Sequence, residues 1–381
     1  MEKFDVHVCL VSDQAVPNFV PVLDADFRPQ QVVLLVTPPM QAKADYLQEV
    51  MRTRCQVQVT QIPVASAYDM EQVGGRIVDL LYDMDKAKVA LNTTGGTKLM
   101  AIAAYDIFRD MGYPAFYFSA ESNEVLLLGK QGKLGSQLLQ PPKIKIEDYL
   151  RLHGYPAQGQ VRQQLQQRQW LPLAQELVQA HQSLAPELGA LNAVISKAVQ
   201  SKRQALHCDL PHAVHAQHGS YLLSLLEQYG VAQQQGQQLH FADVAARDYI
   251  AGAWFEDYVF HVAKSLPGVQ DIALNVQIEN ARQHIRQHNE LDVVLLVNNV
   301  LHVLECKTAN LAKQAEGAQT ALYKLESLKK LGGLRTRAML ISYRGLNGPI
   351  RDRATGAGIR IIEQNDLSGM KTLLEKWTHA K

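Results

Sequence analysis

The strongest constraint in this chain lies between residues 290 and 307. Glu290-Leu291-Asp292 opens an apolar run that continues to Val297, and a second run extends from Val300 to Lys307. Asn298-Asn299 separates them, and an Asn pair tolerates the positive φ of a tight hairpin turn. The second run ends in Glu305-Cys306-Lys307. Alternate residues of a strand share a face, so Glu305 and Lys307 point one way and Leu304 and Cys306 the other. With Asp292 on the partner strand, the fold must accommodate an acid–acid–lysine cluster on one sheet.

Two carboxylates so placed hold a hard cation, and a nearby lysine orients or activates water. That is the equipment of a metal-dependent phosphodiesterase. Glu290 shares a face with Asp292 and competes with it as a ligand. Asp292 is preferred because the apolar run starts beside it. Upstream, Glu256 lies in a helical pattern over 248–265, within Gly252-Ala253-Trp254-Phe255-Glu256. Downstream, Gln319 and Tyr323 stand four apart in a helical pattern over 310–330 and share a face. Strand patterns fall near 271–279, 290–297, 300–307, 338–342 and 358–362, with further helices near 347–355 and 364–378.

This order of elements, with its short motifs, resembles the PD-(D/E)xK, or restriction-endonuclease-like, nucleases over about residues 248–380. The resemblance implies catalytic roles for Asp292, Glu305, Lys307, Glu256 and Gln319. It implies that Asp292, Glu305 and the backbone carbonyl of Cys306 hold Mg²⁺ or Mn²⁺, and that the substrate is DNA, RNA or both. Nothing in the sequence reads bases.

The amino-terminal part has a different pattern. Apolar runs at 5–11, 32–37, 57–62, 88–91, 115–119 and 124–128 are interspersed with helical patterns at 40–52, 69–84 and 98–111. Such alternation predicts a parallel sheet with helices on both faces. Residues 1–142 are therefore expected to form a Rossmann-like domain, closed by Gln140-Pro141-Pro142. Its fourth strand leads into Asn92-Thr93-Thr94-Gly95-Gly96-Thr97-Lys98 and then a helix. Free N–H groups and the helix dipole at such a junction favour an anion. The spacing fits neither a Walker A loop nor Gly-x-Gly-x-x-Gly, which disfavours ATP hydrolysis and dinucleotide binding.

Asn-x-Thr-Gly-Gly-Thr-Lys resembles the signature of CARF domains, Rossmann-like sensors of cyclic oligoadenylates. The resemblance implies ligand contacts from Ser12, Asp13, Gln14, Pro39, Thr94, Gly95, Gly96, Thr97 and Lys98. These loops follow the first, second and fourth strands, at the edge where open α/β sheets bind ligands.

Residues 143–245 are helical in pattern and rich in glutamine, with an amphipathic helix over 219–229 and a hairpin pattern over 231–241. They are expected to form a helical spacer. The helix-then-hairpin order also fits a winged-helix module, although no basic recognition helix accompanies it. Residues 246–381 are expected to form the third part, the nuclease-like domain.

Composition narrows the partners. Thirty-eight Lys and Arg against 37 Asp and Glu leave a net charge of +1, so any nucleic-acid site must be local. The basic run Lys324, Lys329, Lys330, Arg335, Arg337 lies where it could touch phosphates. Cys9, Cys55, Cys208 and Cys306 are scattered without a CxxC, which suits a reduced cytoplasmic protein. His207, Cys208, His212, His215 and His218 cluster, but their spacing fits no common zinc site. No apolar run approaches membrane length.

The combined resemblance is to homodimeric nucleases of type III CRISPR antiviral defence, activated by cyclic tetra-adenylate. A CARF-regulated transcription factor and a ring nuclease degrading its own messenger are the alternatives.

Overall fold

A computed structural model describes residues 3–380 apart from 83, 85–87, 130–131, 141–142, 211–216, 280–287, 332 and 334. The chain divides into two compact units. One comprises Met1–Ala157 with Ile278–His288 and Leu331–Leu334. The other comprises Gln158–Gln277 with Asn289–Lys330 and Arg335–Lys381.

The first unit runs β1 (Val6–Leu10), α1 (Val16–Leu23), β2 (Gln31–Val36), α2 (Gln41–Cys55), β3 (Gln58–Pro63), α3 (Met70–Leu81), β4 (Val89–Asn92), α4 (Lys98–Met111), β5 (Ala115–Ser119), β6 (Glu124–Gly129), β7 (Gly132–Leu138) and α5 (Ile146–Leu152). The sheet order is β3-β2-β1-β4-β5-β6-β7. β3 to β5 are parallel neighbours, and their central strands are almost wholly buried, as a sheet covered on both faces requires. The last two pairings are antiparallel. Only a short turn joins β5 to β6, too few residues for a crossover. The expected parallel sheet thus acquires an antiparallel extension. Pro141 and Pro142, read as the end of this part, lie outside the described residues.

The second unit starts with α6 (Leu171–Gln179), α7 (His181–Ser201), β8 (His207–Asp209), α8 (Gln217–Gln228), β9 (Ala232–Gln235) and β10 (Gln238–Phe241). β8, β10 and β9 make a small antiparallel sheet. The middle segment is therefore helical with a three-stranded wing, not a bare hairpin. α8 has no Lys or Arg. His212 and His215 lie outside the described residues.

α9 (Val244–Asp248) follows, then a π-helical turn over Tyr249–Ala253 and α10 (Trp254–Lys264). The larger sheet of this unit is built from β11 (Val269–Glu279), β12 (His288–Val297), β13 (Val300–Lys307), β14 (Arg337–Ser342) and β15 (Arg360–Ile362), in that spatial order. α11 (Ala315–Leu331) links β13 to β14, α12 (Gly348–Gly356) links β14 to β15, and α13 (Met370–His379) follows. The middle helices and this sheet share one core, in which Trp170, Leu177, Tyr249, Trp254, Phe255 and Tyr343 are all buried. The Tyr343 hydroxyl donates to the Leu177 carbonyl at 2.6 Å, and the Tyr249 hydroxyl to the Trp170 carbonyl at 3.1 Å. All four cysteines are free and buried. No described helix is long and apolar enough to cross a membrane.

Candidate active site and anion-binding loop

β12 and β13 pair antiparallel from Val297↔Val300 back to Val293↔Leu304. Asn298 and Asn299 both have positive φ, 50° and 57°, as the tight turn demands. One step beyond the last pair, Asp292 stands across from Glu305. Both carboxylates are buried, at 6% and 2% exposure. The Cys306 amide donates to Asp292 Oδ2 at 2.8 Å and fixes that carboxylate. Lys307 Nζ lies 2.6 Å from Glu305 Oε1 and 3.6 Å from Asp292 Oδ2. The strand alternation thus delivers the expected cluster, with the Cys306 side chain turned into the core.

A cation absent from the expected set completes it. Lys324 Nζ, from α11, lies 2.5 Å from Glu305 Oε2 and 3.4 Å from Asp292 Oδ1. Burial of two facing carboxylates is tolerable only with such compensation. An open cleft of about 620 Å³ gives access, lined by Glu305, Lys307, Gln314, Glu316, Gly317, Thr320, Ala321 and Lys324.

Glu256 sits in the first turn of α10 and feels the charges of Asp292, Lys307 and Glu290. Burial first, then Asp292, push its carboxyl up to about 8, against a hydrogen bond from Asn275 and the charge of Lys307. Asn275 has φ 52° inside β11, a left-handed position that Asn tolerates better than most residues. Gln166 Nε2 also reaches Glu256 Oε2 at 3.4 Å. Burial and Asp292 likewise raise Glu305, against the two lysines. Burial opposes the charge on Lys307, yet Asp292 and Glu305 hold its ammonium above the usual range. The Cys306 thiol is pushed well up, first by burial and then by the surrounding acids, so it stays a thiol and does not compete as a ligand.

Other expected residues lie elsewhere. Glu290 is exposed. Gln319 is exposed on α11 and does not line the cleft; the cleft face of that helix carries Gly317, Thr320, Ala321 and Lys324. Tyr323 is 57% exposed, with the Arg353 guanidinium 4.0 Å from its ring centre. Two members of the basic run serve the fold. Lys329 donates to the carbonyls of Ala357 and Gly358, and Arg337 to those of Trp377 and Ala380.

Among the described residues, no group of three or more His, Cys, Asp or Glu side chains forms a metal cage. The donor chemistry nevertheless suits a hard cation, with two buried carboxylates on adjacent strands. Glu305 Oε2 also lacks any hydrogen bond, since its approach to Lys324 is charge contact without hydrogen-bond geometry.

In the first unit, the loops after β2, β1 and β4 lie along the carboxyl-terminal edge of neighbouring strands. They carry Pro39, Ser12 to Gln14, and Thr94 to Lys98. Asn92 Oδ1 accepts the Thr94 amide at 3.0 Å, and its Nδ2 donates to the Pro17 carbonyl at 3.0 Å. Thr97 caps α4 by accepting the Met100 amide at 3.2 Å. Thr94 Oγ1 accepts the Phe118 amide at 2.7 Å. Lys98 and Pro39 are exposed, and Asp13 pairs with Lys43 of α2. The two glycines serve packing. A Cβ at Gly95 would stand 2.1 Å from the Leu10 carbonyl oxygen, and one at Gly96, where φ is 75°, would stand 2.8 Å from Leu10 Cβ. A side chain at Gly96 would therefore disturb the fold and not simply block a ligand.

Residues 6–149 match the family described as the Card1 CARF domain, and residues 243–381 match the Card1-like endonuclease domain. The chain belongs to the CARF-domain endonucleases. Among solved structures, it is similar to protein VC1899 from Vibrio cholerae, at 26% identity and a TM-score of 0.85, covering 98% of this chain and 97% of that one. It is also similar to Can2 from Sulfobacillus thermosulfidooxidans, solved with cyclic tetra-adenylate. That match has 26% identity and a TM-score of 0.79, covering 99% of this chain and 100% of that one. A type III CRISPR defence DNA nuclease activated by cyclic oligoadenylate shares the fold at 18% identity and a TM-score of 0.54, covering 97% of this chain and 52% of that one. No curated protein matches.

Proposed function

We propose that this protein is a metal-dependent endonuclease of type III CRISPR defence, activated by cyclic tetra-adenylate and working as a homodimer. The observation that carries this reading is the Asp292–Glu305–Lys307 cluster at an open cleft, on the same chain as the Asn92–Lys98 loop. The relative solved with cyclic tetra-adenylate matches along the full length of both chains, which supports that ring as the activator.

Asp292, Glu305 and the Cys306 carbonyl would hold Mg²⁺ or Mn²⁺, which would polarise the scissile phosphate and lower the pKa of a bound water. The Cys306 amide keeps Asp292 oriented for that role. Lys307 stabilises negative charge developing on the phosphoryl oxygens. In the metal-free protein, burial and then Asp292 raise the Glu256 carboxyl to about 8, which favours its protonated form. Gln319, exposed beyond the cleft face, is assigned to the substrate strand and not to the reacting phosphate.

In the sensor, Thr94 to Lys98 present the start of α4 to the ring's phosphates, with Ser12, Asp13, Gln14 and Pro39 beside them. Met70, Val78, Leu99 and Ile102 on α3 and α4 are apolar and exposed, which suits a dimer face adjoining that loop. A ring with two-fold symmetry matches an isologous pair of such loops.

The test is cleavage of supercoiled plasmid and of single-stranded RNA with Mn²⁺, with and without cyclic tetra-adenylate. Cutting is expected only when metal and ring are both present, and should vanish in Glu305→Ala. Full cutting by Glu305→Ala would dismiss the site, and equal cutting without the ring would dismiss the gating.

A further inference from the structure

Lys324 performs no step in the scheme above, yet it sits against both acids. It belongs to α11 and not to the catalytic hairpin. Each lysine bridges both carboxylates. Lys307 approaches Glu305 Oε1 and Asp292 Oδ2, while Lys324 approaches Glu305 Oε2 and Asp292 Oδ1. All four carboxylate oxygens thus face an ammonium, and the two negative charges are already balanced.

A divalent ion on the same carboxylates would meet two ammonium groups at contact range, where like charges repel strongly. One lysine has to yield, and the two differ in how they are held. Lys307 sits on β13, two residues from Glu305, and hydrogen-bonds to it. Its carbonyl accepts the Tyr343 amide at 2.8 Å, which fixes the strand end. Lys324 approaches Glu305 Oε2 without hydrogen-bond geometry and donates only one long hydrogen bond, 3.4 Å, to Asp292 Oδ1. Both lysines border the open cleft, but Lys324 reaches it on a flexible four-carbon stem from a helix and not from the strand that carries Glu305.

We propose that Lys324 is the cleft's resident counter-cation. It neutralises the Asp292–Glu305 pair in the metal-free enzyme, yields its place to the divalent ion, and then turns into the cleft to contact a substrate phosphate. The proposal rests on the metal reading above.

The experiment measures Mn²⁺ binding to the full-length protein without nucleic acid, by calorimetry and by electron paramagnetic resonance of free Mn²⁺. Lys324→Met keeps the length of the side chain and removes its charge. It should bind Mn²⁺ roughly ten-fold more tightly, the scale of one relieved like-charge repulsion. It should also melt at lower temperature than wild type in EDTA and regain more of its stability on adding Mn²⁺. Lys324→Arg keeps the charge on a head suited to carboxylates, so its Mn²⁺ affinity should equal or fall below that of wild type. This variant keeps the test decisive should Lys324→Met fail to fold. Asp292→Asn serves as the control. If it binds Mn²⁺ as wild type does, the metal reading fails, and this proposal with it. If it loses Mn²⁺ while Lys324→Met binds no more tightly than wild type, or Lys324→Arg binds more tightly, the role given to Lys324 alone is overturned.

Discussion

Glu256→Gln separates the electrostatics of the cluster from its catalysis. The Glu256 carboxyl is lifted from the ordinary 4.5 to about 8, chiefly by burial and then by Asp292. An acid whose folded-state pKa is raised holds its proton after the unfolded chain has released one. Its contribution to stability is fully present below about 4.5 and is lost as pH rises toward about 8. The whole interval corresponds to roughly 5 kcal/mol at most, and partial relaxation around the carboxylate would leave roughly 2–4. Gln has nearly the shape of the protonated acid and cannot ionise, so the variant escapes the loss. In EDTA the nuclease unit of Glu256→Gln should melt close to wild type at pH 5 and several degrees above it at pH 9. Scanning calorimetry at both pH values reads this directly. An equal shift at pH 5 and pH 9, or a lower melting temperature at pH 9, would refute the environment assigned to Glu256.

Lys307→Ala should lower turnover by orders of magnitude while Mn²⁺ and cyclic tetra-adenylate still bind, as single-turnover kinetics and calorimetry would show. Lys98→Ala should weaken cyclic tetra-adenylate by about ten-fold, the scale of one charge-assisted hydrogen bond, without altering the melting temperature; unchanged titration isotherms would move the ring elsewhere. Ile102→Glu puts a charge on the exposed apolar face of α4 and should shift the species seen by light scattering toward monomer, with loss of ring-stimulated cutting.

Much of this was legible because short-range pattern decides it. The period of two in Glu305-Cys306-Lys307, the Asn pair and the apolar run after Asp292 dictated a hairpin and its polar face, and the structure has both. α1 was not legible. It carries Pro21 within eight residues, and local propensity argues against a helix that packing against the sheet nonetheless maintains. β7 was missed for a related reason, since Gly132 and Gly135 weaken its strand pattern until pairing with β6 restores it.

The gap at the candidate active site has a different origin. Asp292, Glu305 and Lys307 lie on one hairpin, so their proximity is a matter of register. Lys324, Asn275 and Gln166 reach the cluster from α11, from a left-handed position in β11 and from a loop before α6. A lysine on an amphipathic helix is ordinarily solvated, and only tertiary packing brings this one against Glu305 and Asp292. Helix geometry then explains why Gln319, five residues before Lys324, faces outward. At about 100° per residue, positions 317, 320, 321 and 324 share a stripe from which 319 is excluded. Spacing could pair Gln319 with Tyr323, but only tertiary packing selects which stripe of the helix faces the acids.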